Sequence, residues 1–281
     1  MEATSMIETE YNDEYDAYEA MMNRGAFLRK LRQMAEEDEA HRDVVVLPVL
    51  SSSKDVEITV DHDTLCYHSY LSVQAVYDDY KHVNYRQIDF GIVGDSPLVI
   101  AQDRTVGKGG FVWDSGYILA EHVARVTEWQ TGSPSVVELG AGTGVTGLFV
   151  GRQVPQAQVH LTDLPQLLPL MEKNSSTSKN VTAGVLEWGR NVSGQEYDVI
   201  LGADVVASIY DSYGLAKTIY DLSHERTKIY LACKDRLSGS IEDFEGQMKN
   251  MFEHVGRSKP NSSNNNPKVW IFEISGKRVT Q

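Results

Sequence analysis

Short apolar runs and longer amphipathic stretches alternate along the chain from Phe111 onward. The amphipathic stretches predict helices over 115–128, 144–152, 165–174, 211–223 and 240–254. The apolar runs predict strands over 135–139, 157–162, 181–186, 198–202, 228–232, 253–256 and 269–274. Strands that alternate with helices form parallel sheets covered on both faces, so the fold class is α/β with a doubly wound, seven-stranded, Rossmann-like sheet. The last two strands flank a polar segment and predict a terminal β-hairpin.

The region before residue 105 has a weaker pattern. Residues 44–50 and 56–60 read as strands, and 61–103 as short strands and loops. Apolar positions within 13–40 are compatible with an amphipathic helix. The predicted organisation is therefore an acidic N-terminal extension at 1–43, partly disordered or helical, a β-rich subregion at 44–104, and the α/β domain at 105–281.

A glycine-rich turn follows the first strand of this domain, in the segment Val137–Gly144. Gly140 and Gly142 match the first half of the dinucleotide fingerprint, but Val145 stands where its third glycine belongs. No Gly-Lys-Ser/Thr follows, so the phosphate-binding loop of nucleotide hydrolases is absent as well. Glu138, at the end of the strand, would repel a phosphate but can pair with a cationic amino group. The turn from Gly140 through Ala141 to Gly142 therefore favours S-adenosylmethionine, with a plain strand-to-helix turn as the alternative.

Three further strand ends carry polar or aromatic residues. Asp163 ends the next strand, where an acid can accept hydrogen bonds from ribose hydroxyls, although it could equally cap the following helix. Trp188 could line an adenine pocket or simply cover the sheet edge. Ala203 leaves room for a ligand, and the adjacent Asp204 could orient an amine or cap the next loop. Trp113, after two glycines, could wall the cofactor pocket or pack in the core.

Composition narrows the class of protein. The 281 residues are 41% hydrophobic, enough for one large domain or a domain with an extension. No run of about eighteen apolar residues is present, and residues 1–4 show no basic and apolar leader, so neither a membrane span nor a signal peptide is expected. Two cysteines far apart and scattered histidines provide no disulfide framework and no metal site. We expect a reducing, cytoplasmic location, with a nuclear location left open.

The net charge of −14 bears on partners. It argues against binding nucleic acid through a basic face and favours a partner with a basic or lysine-bearing surface. Residues 1–43 contribute a balance of −7, from 12 acidic and 5 basic residues. A solubilising acidic tail explains that excess as readily as a docking element. We expect a monomer that contacts a protein substrate, no nucleic acid and no membrane.

Taken together, the chain resembles the class I protein-lysine methyltransferases of the methyltransferase-like 21 group, within methyltransferase family 16. The resemblance covers about residues 105–275, and the order and spacing of its motifs match. These motifs are Gly110–Ser115, Val137–Gly144, Thr162–Pro165, Leu186–Gly189 and Gly202–Val206.

The resemblance implies a class I methyltransferase sheet and transfer of a methyl group to a lysine ε-amine of a chaperone or a translation elongation factor. It places Asp204 at the lysine channel as the catalytic residue. One position departs from the family, because Ala207 stands where an aromatic residue usually helps to enclose the amine; Tyr210 or Tyr213 could replace it. The resemblance also implies that the cofactor is contacted by Trp113, the turn from Gly140 to Gly142, Asp163, Trp188 and Ala203.

Other functions use the same cofactor motifs. The acceptor could be a small molecule or an N-terminal amine. Alternatively, the chain could be a binding module that keeps the cofactor site and has lost turnover, a reading that Ala207 supports. A nicotinamide-dependent enzyme is disfavoured by Val145.

Overall fold

A computed structural model describes most of the domain predicted at 105–281 and parts of the region before it. The described residues are 46–49, 56–60, 63–67, 85–88, 98–126, 129, 132–190, 192, 194–207, 209–234, 240–261 and 269–278. For the first four ranges it describes only the backbone. The predicted extension at 1–43 lies outside the described residues.

The described part of the chain forms five α-helices at the predicted places. They are α1 Asp114–Val126, α2 Val145–Gln153, α3 Leu168–Ser175, α4 Ser212–Asp221 and α5 Ser240–Met251. The helix predicted from 165 begins as a 3-10 turn, Pro165–Leu167, and becomes α3 afterwards. The helix predicted to reach 254 ends at Met251, because the next residue already pairs in a strand.

Strands occupy every predicted strand position. Before the domain they are β1 Val46–Val49, β2 Val56–Val60, β3 Asp63–Tyr67, β4 Tyr85–Ile88 and β5 Leu98–Ala101. The next four are β6 Ser135–Leu139, β7 Gln158–Asp163, β8 Val181–Val185 and β9 Tyr197–Ala203. The last three are β10 Ser223–Lys234, β11 Phe252–Ser258 and β12 Val269–Lys277.

β10 is longer than the predicted 228–232 at both ends. It begins at Ser223, which pairs with Tyr197 of β9, and its register shifts before Lys228 resumes the pairing. Residues within that irregular stretch are exposed, so the pattern of apolar residues did not indicate where the strand starts. Consequently the predicted extent of α4 to residue 223 is wrong, since the helix ends at Asp221.

Seven strands form one sheet in the order β11-β12-β10-β9-β6-β7-β8. The five strands from β10 to β8 are parallel, whereas β12 is antiparallel to both β10 and β11. This confirms the predicted fold class, a doubly wound sheet that ends in a β-hairpin. Strand order reverses between β6 and β9, and ligands of such sheets bind outside the carboxyl ends of the strands at this point.

A hydrophobic core covers each face of the sheet. One core contains buried residues of α1, α2 and α3, and the other contains buried residues of α4 and α5. β5 belongs to a separate three-stranded sheet with β1 and β4, yet Ile100 is fully buried in the first core. The amide of Asn174 in α3 both accepts from the backbone N–H of Ala101 and donates to its carbonyl. These contacts cross the predicted boundary at 104/105, which stays a prediction.

The described helices are too short or too polar to span a membrane.

Candidate functional site

The carboxyl ends of the parallel strands open onto one cavity of about 780 Å³. Its walls come from the glycine turn, from the ends of β7, β9 and β10, and from the segments that follow β8 and precede α1. Every residue that the sequence placed in the site lines it. These residues are Trp113, Glu138, Gly140, Ala141, Gly142, Asp163, Trp188, Ala203 and Asp204.

The glycine turn is required by backbone conformation and by packing. Gly140 and Gly142 have φ values of 61° and 54°, in the left-handed region that side chains disfavour. A Cβ atom on Gly142 would lie 2.6 Å from the carbonyl oxygen of Gly109, and one on Gly140 would lie 2.8 Å from Val205. The turn therefore brings bare backbone to the cavity, the environment that a closely approaching ligand needs.

Asp163 ties the turn to the end of β7. One carboxylate oxygen accepts from the N–H of Gly142 at 2.7 Å, and the other accepts from the N–H of Leu164 at 2.7 Å. Burial raises the pKa of Asp163, and these two backbone bonds only partly offset that effect. Each oxygen has a second lone pair, so the carboxylate can hold the turn and still accept a ribose hydroxyl. The following 3-10 turn is capped by Leu164 without a side-chain bond, and Asp163 is not its N-cap.

Glu138 is buried beneath the turn, with 2% of its surface exposed. Its carboxylate accepts from the N–H of Gly147 in the first turn of α2 at 2.8 Å. The helix N-cap is Gly144, which has no side chain to satisfy that donor. Burial raises the pKa of Glu138 to about 7, an effect that the Gly147 bond partly offsets. The carboxylate thus supports the helix start while it lines the cavity.

The raised pKa of Glu138 makes stability depend on pH. The unfolded chain ionises this group near pH 4.5, but the folded protein holds the proton until about pH 7. The contribution of Glu138 to the free energy of unfolding is therefore complete below pH 4.5 and falls by about 3 kcal/mol as the pH rises through 7. Glu138→Gln mimics the protonated acid, so we expect this variant to gain stability over wild type as the pH rises, in urea unfolding.

The exposed Glu225 of β10 provides the matched control. Glu225→Gln should follow the wild-type dependence of unfolding free energy on pH. A difference between Glu138→Gln and wild type that stays constant across this pH range would contradict the proposed burial cost.

Two tryptophans form side walls of the cavity. The indole Nε1 of Trp113 donates to the carbonyl of Lys108 at 2.8 Å, which fixes the ring beside the turn. Trp188 meets Tyr210 edge-to-face, with ring centroids 6.0 Å apart at an interplanar angle of 82°. Tyr210 also lines the cavity, whereas Tyr213 is not part of the lining. Of the two tyrosines that the sequence suggested in place of the family aromatic at Ala207, only Tyr210 is at the site.

Asp204 has an unusual backbone conformation at the end of β9. Its φ is 63°, and among the described residues it is the one non-glycine residue with a positive φ. The N–H of Asp204 donates to the carbonyl of Ala232 in β10 at 2.8 Å, which holds the residue in this conformation. Residues kept in disfavoured conformations cluster at active sites, where the surrounding structure stabilises them. Asp tolerates the left-handed region better than most residues because its short side chain bonds locally.

Sequence reasoning missed Lys234. It ends β10, lines the cavity and is only 7% exposed. Its ammonium lies 2.8 Å from a carboxylate oxygen of Asp114, the first residue of α1. The available signal was a lysine directly after the apolar end of a predicted parallel strand, at the same edge of the sheet as Glu138 and Asp204.

A family model described as lysine methyltransferase matches residues 93–253, more than half of the chain. The chain belongs to the lysine methyltransferase family. The matched region contains the glycine turn, both tryptophans and Asp204. The protein is accordingly an S-adenosylmethionine-dependent protein-lysine methyltransferase, as the sequence predicted.

Several curated proteins are similar in sequence to this methyltransferase. It is 33% identical over 171 residues to EEF1A lysine methyltransferase 3 from Xenopus tropicalis, a match that covers 57% of this chain and 74% of that one. It is 33% identical over 149 residues to protein N-lysine methyltransferase METTL21A from Mus musculus, covering 50% and 67%. A UPF0665 family protein from Schizosaccharomyces pombe is 28% identical, and the chain covers 42% of its length.

The residues of the cavity fit S-adenosylmethionine. The volume is within the range of pockets that bury a ligand of this size. The glycine turn presents backbone without side chains at the cavity wall, and an added Cβ atom on Gly140 or Gly142 would displace neighbouring wall residues. A buried carboxylate, Glu138, is available for the cofactor's ammonium group, and Asp163 for its ribose.

Proposed function

We propose specific roles for the cavity residues in lysine methylation. The turn from Gly140 to Gly142, Asp163 and Trp188 would hold the adenosine part of S-adenosylmethionine, while Glu138 and Trp113 would hold its amino-acid part. Ala203 leaves space at the centre of the cavity, and Asp204 receives the target lysine. When bound, the cofactor supplies a methyl group activated by a sulfonium. The strained conformation of Asp204 at the cavity wall is the observation that supports Asp204 as the residue that receives the target lysine.

Asp204 acts on the acceptor amine. A lysine must lose a proton before its nitrogen has a lone pair, and partial burial at the cavity mouth lowers the pKa of that amine. The carboxylate of Asp204 accepts a hydrogen bond from Nζ and holds the nitrogen in one orientation after the proton has left to water. Alignment of donor and acceptor accounts for the catalysis, as a proximity effect requires.

The substrate is a protein that presents a lysine in basic and apolar surroundings. Ile209, Tyr210 and Tyr213 follow the Asp204 segment and are 66%, 42% and 66% exposed. Large apolar side chains clustered at the surface beside a site mark protein interaction. The net charge of −14 favours a basic partner. EEF1A is the first candidate, because a relative named for it is 33% identical; a chaperone is the second. A cytoplasmic monomer suits this role.

The exposed apolar residues beside the cavity provide a test of substrate docking. The double substitution Ile209→Ser and Tyr213→Ser should raise KM for the protein substrate by about 30-fold, because about 2 kcal/mol of apolar contact is lost. The dissociation constant of S-adenosylhomocysteine should stay within about twofold of wild type, because Tyr213 is outside the cavity lining and Ile209, which is part of it, is 66% exposed. Steady-state kinetics and calorimetry measure the two quantities.

Val126→Ser is the control for surface hydrophobicity. Val126 is an exposed apolar residue at the far end of α1, about 18 Å along the helix from its first residue. It should leave KM unchanged. If the double variant and Val126→Ser raise KM equally, the docking role of Ile209 and Tyr213 is wrong.

Labelled S-adenosylmethionine and a cell extract test the activity itself. Label on a lysine side chain of a protein, located by mass spectrometry, supports protein-lysine methylation. Label in small molecules or on N-terminal amines would favour the other acceptors. Binding of S-adenosylhomocysteine without transfer to any acceptor would favour a binding module that has lost turnover.

A further inference from the structure

We propose that Lys234, anchored by Asp114, binds the carboxylate at the amino-acid end of the cofactor. The proposal rests on the proposed function, because it assumes that S-adenosylmethionine occupies the cavity. It adds a recognition element that the motifs of the glycine turn do not include.

Lys234 is placed at the cavity by the sheet. It is the last residue of β10, and Ala232, two residues earlier, pairs with Ala203 at the end of β9. The side chain lines the cavity while 7% of the residue is exposed. A lysine is seldom this buried without a partner that compensates its charge.

Asp114 anchors the ammonium. One oxygen of Asp114 accepts from the N–H of Ser115 at 3.0 Å, which fixes the carboxylate on the first turn of α1. The other oxygen lies 2.8 Å from Nζ of Lys234. An ammonium has three donors, and Asp114 uses one of them. Because the ammonium of Lys234 lies at the cavity wall, its other two donors can form hydrogen bonds to a ligand oxygen in the cavity.

The start of α1 adjoins the start of α2, beneath the glycine turn. The hydroxyl of Thr146 donates to the carbonyl of Gly116 at 3.1 Å, and a Cβ atom on Gly116 would lie 2.7 Å from Val145. Glu138 bonds to Gly147 in that same turn of α2. Glu138 at the end of β6 thus bonds to the start of α2, and Lys234 at the end of β10 bonds to the start of α1, so a buried acid and a buried base line one cavity.

The described part of the cavity wall has more acidic than basic side chains, so few residues can bind an anionic group of a ligand. Among the described residues, the acidic lining residues are Glu138, Asp163, Glu187, Asp204 and Asp211, and the basic ones are Lys108 and Lys234. Lys108 is exposed to solvent, whereas Lys234 is buried. The amino-acid end of S-adenosylmethionine carries an ammonium and a carboxylate. The acids suit the ammonium, and the buried Lys234 suits the carboxylate, because a charge-assisted bond is strongest away from water.

Calorimetry with three ligands tests this assignment. S-adenosylhomocysteine has both charged groups, its decarboxylated analogue keeps only the ammonium, and 5′-methylthioadenosine has neither. Lys234→Gln should weaken S-adenosylhomocysteine binding at least about tenfold and change the binding of the other two ligands by less than about twofold. Lys234→Arg keeps the cation and should retain most of the affinity for S-adenosylhomocysteine.

Two comparisons keep the result clear. Lys108→Gln removes the exposed lysine of the same wall and should leave all three affinities near wild type. If Lys234→Gln proves unstable in thermal unfolding, the double variant Lys234→Gln with Asp114→Asn removes both charges of the pair, and the same pattern across the ligands is expected.

Equal weakening of all three ligands by Lys234→Gln would overturn the proposal, because it would show a general disturbance of the cavity. Unchanged affinity for S-adenosylhomocysteine would overturn it as well, while leaving the proposed function intact. Absence of S-adenosylhomocysteine binding to the wild-type protein would instead overturn the cofactor roles on which it rests.

Discussion

Asp204→Asn is expected to lower kcat/KM for the protein substrate by about 100-fold, the scale on which misplacement of a reacting group lowers the rate. The carboxylate accepts a hydrogen bond from the target amine and orients it, whereas an amide can turn its NH₂ group toward the amine. Asparagine tolerates the left-handed backbone, so φ at 63° and the bond to Ala232 should persist. Transfer of labelled methyl to the substrate measures the rate.

The binding of S-adenosylhomocysteine separates the role of Asp204 in catalysis from a role in folding. We expect its dissociation constant for Asp204→Asn to remain within about twofold of wild type, because the cofactor is held by the turn and by Asp163. A variant that methylates at the wild-type rate would show that Asp204 does not act on the amine. If Asp204→Asn loses cofactor binding, the carboxylate of Asp204 is needed to form the cofactor site and its role is not specific to the amine.

Gly142→Ala should have the second large effect, on cofactor binding. Alanine in the left-handed region costs about 1–2 kcal/mol, and its Cβ would lie 2.6 Å from the backbone oxygen of Gly109. Neither backbone can move without displacing the turn, which Asp163 holds through the N–H of Gly142. We therefore expect the affinity for S-adenosylhomocysteine to fall at least about tenfold and the unfolding midpoint to fall as well.

Gly246 provides the matched control for a glycine-to-alanine change. It lies within α5, has an ordinary φ and has open space where a Cβ would stand. Gly246→Ala should raise the free energy of unfolding by up to about 1 kcal/mol and leave ligand affinity unchanged. If Gly142→Ala behaves like Gly246→Ala, the glycine turn does not form the cofactor cradle.

Val145, the residue that excluded a dinucleotide, acquires a structural role in the fold. It is the first residue of α2 and is 4% exposed. Its side chain occupies the space that the missing Cβ of Gly116 leaves on α1. The close contact between helix and strand is made by Gly147 of α2 instead, where an added Cβ atom would clash with Leu161 of β7.

The sequence was sufficient for the elements and for most of the site. Apolar spacing identified the helices and the strands of the main sheet, because alternation with a period of two or 3.6 residues is a local property. It failed at the start of β10, where exposed residues follow Ser223 and only the pairing with Tyr197 defines a strand. The site residues were accessible because parallel strands bring their carboxyl ends to one edge, so each strand end could be read separately.

The tertiary structure alone decided how the charged groups of the site are used. Glu138 bonds to the start of α2, and Asp163 bonds to the glycine turn across 21 residues of sequence. Lys234 meets Asp114 across 120 residues. Such pairings depend on strand order and helix packing, which no local pattern encodes. The sequence therefore indicated most of the residues that reach the cavity, although not Lys234. The fold determined which of them hold the turn, which are buried with a partner, and that Asp204 is held in a strained conformation.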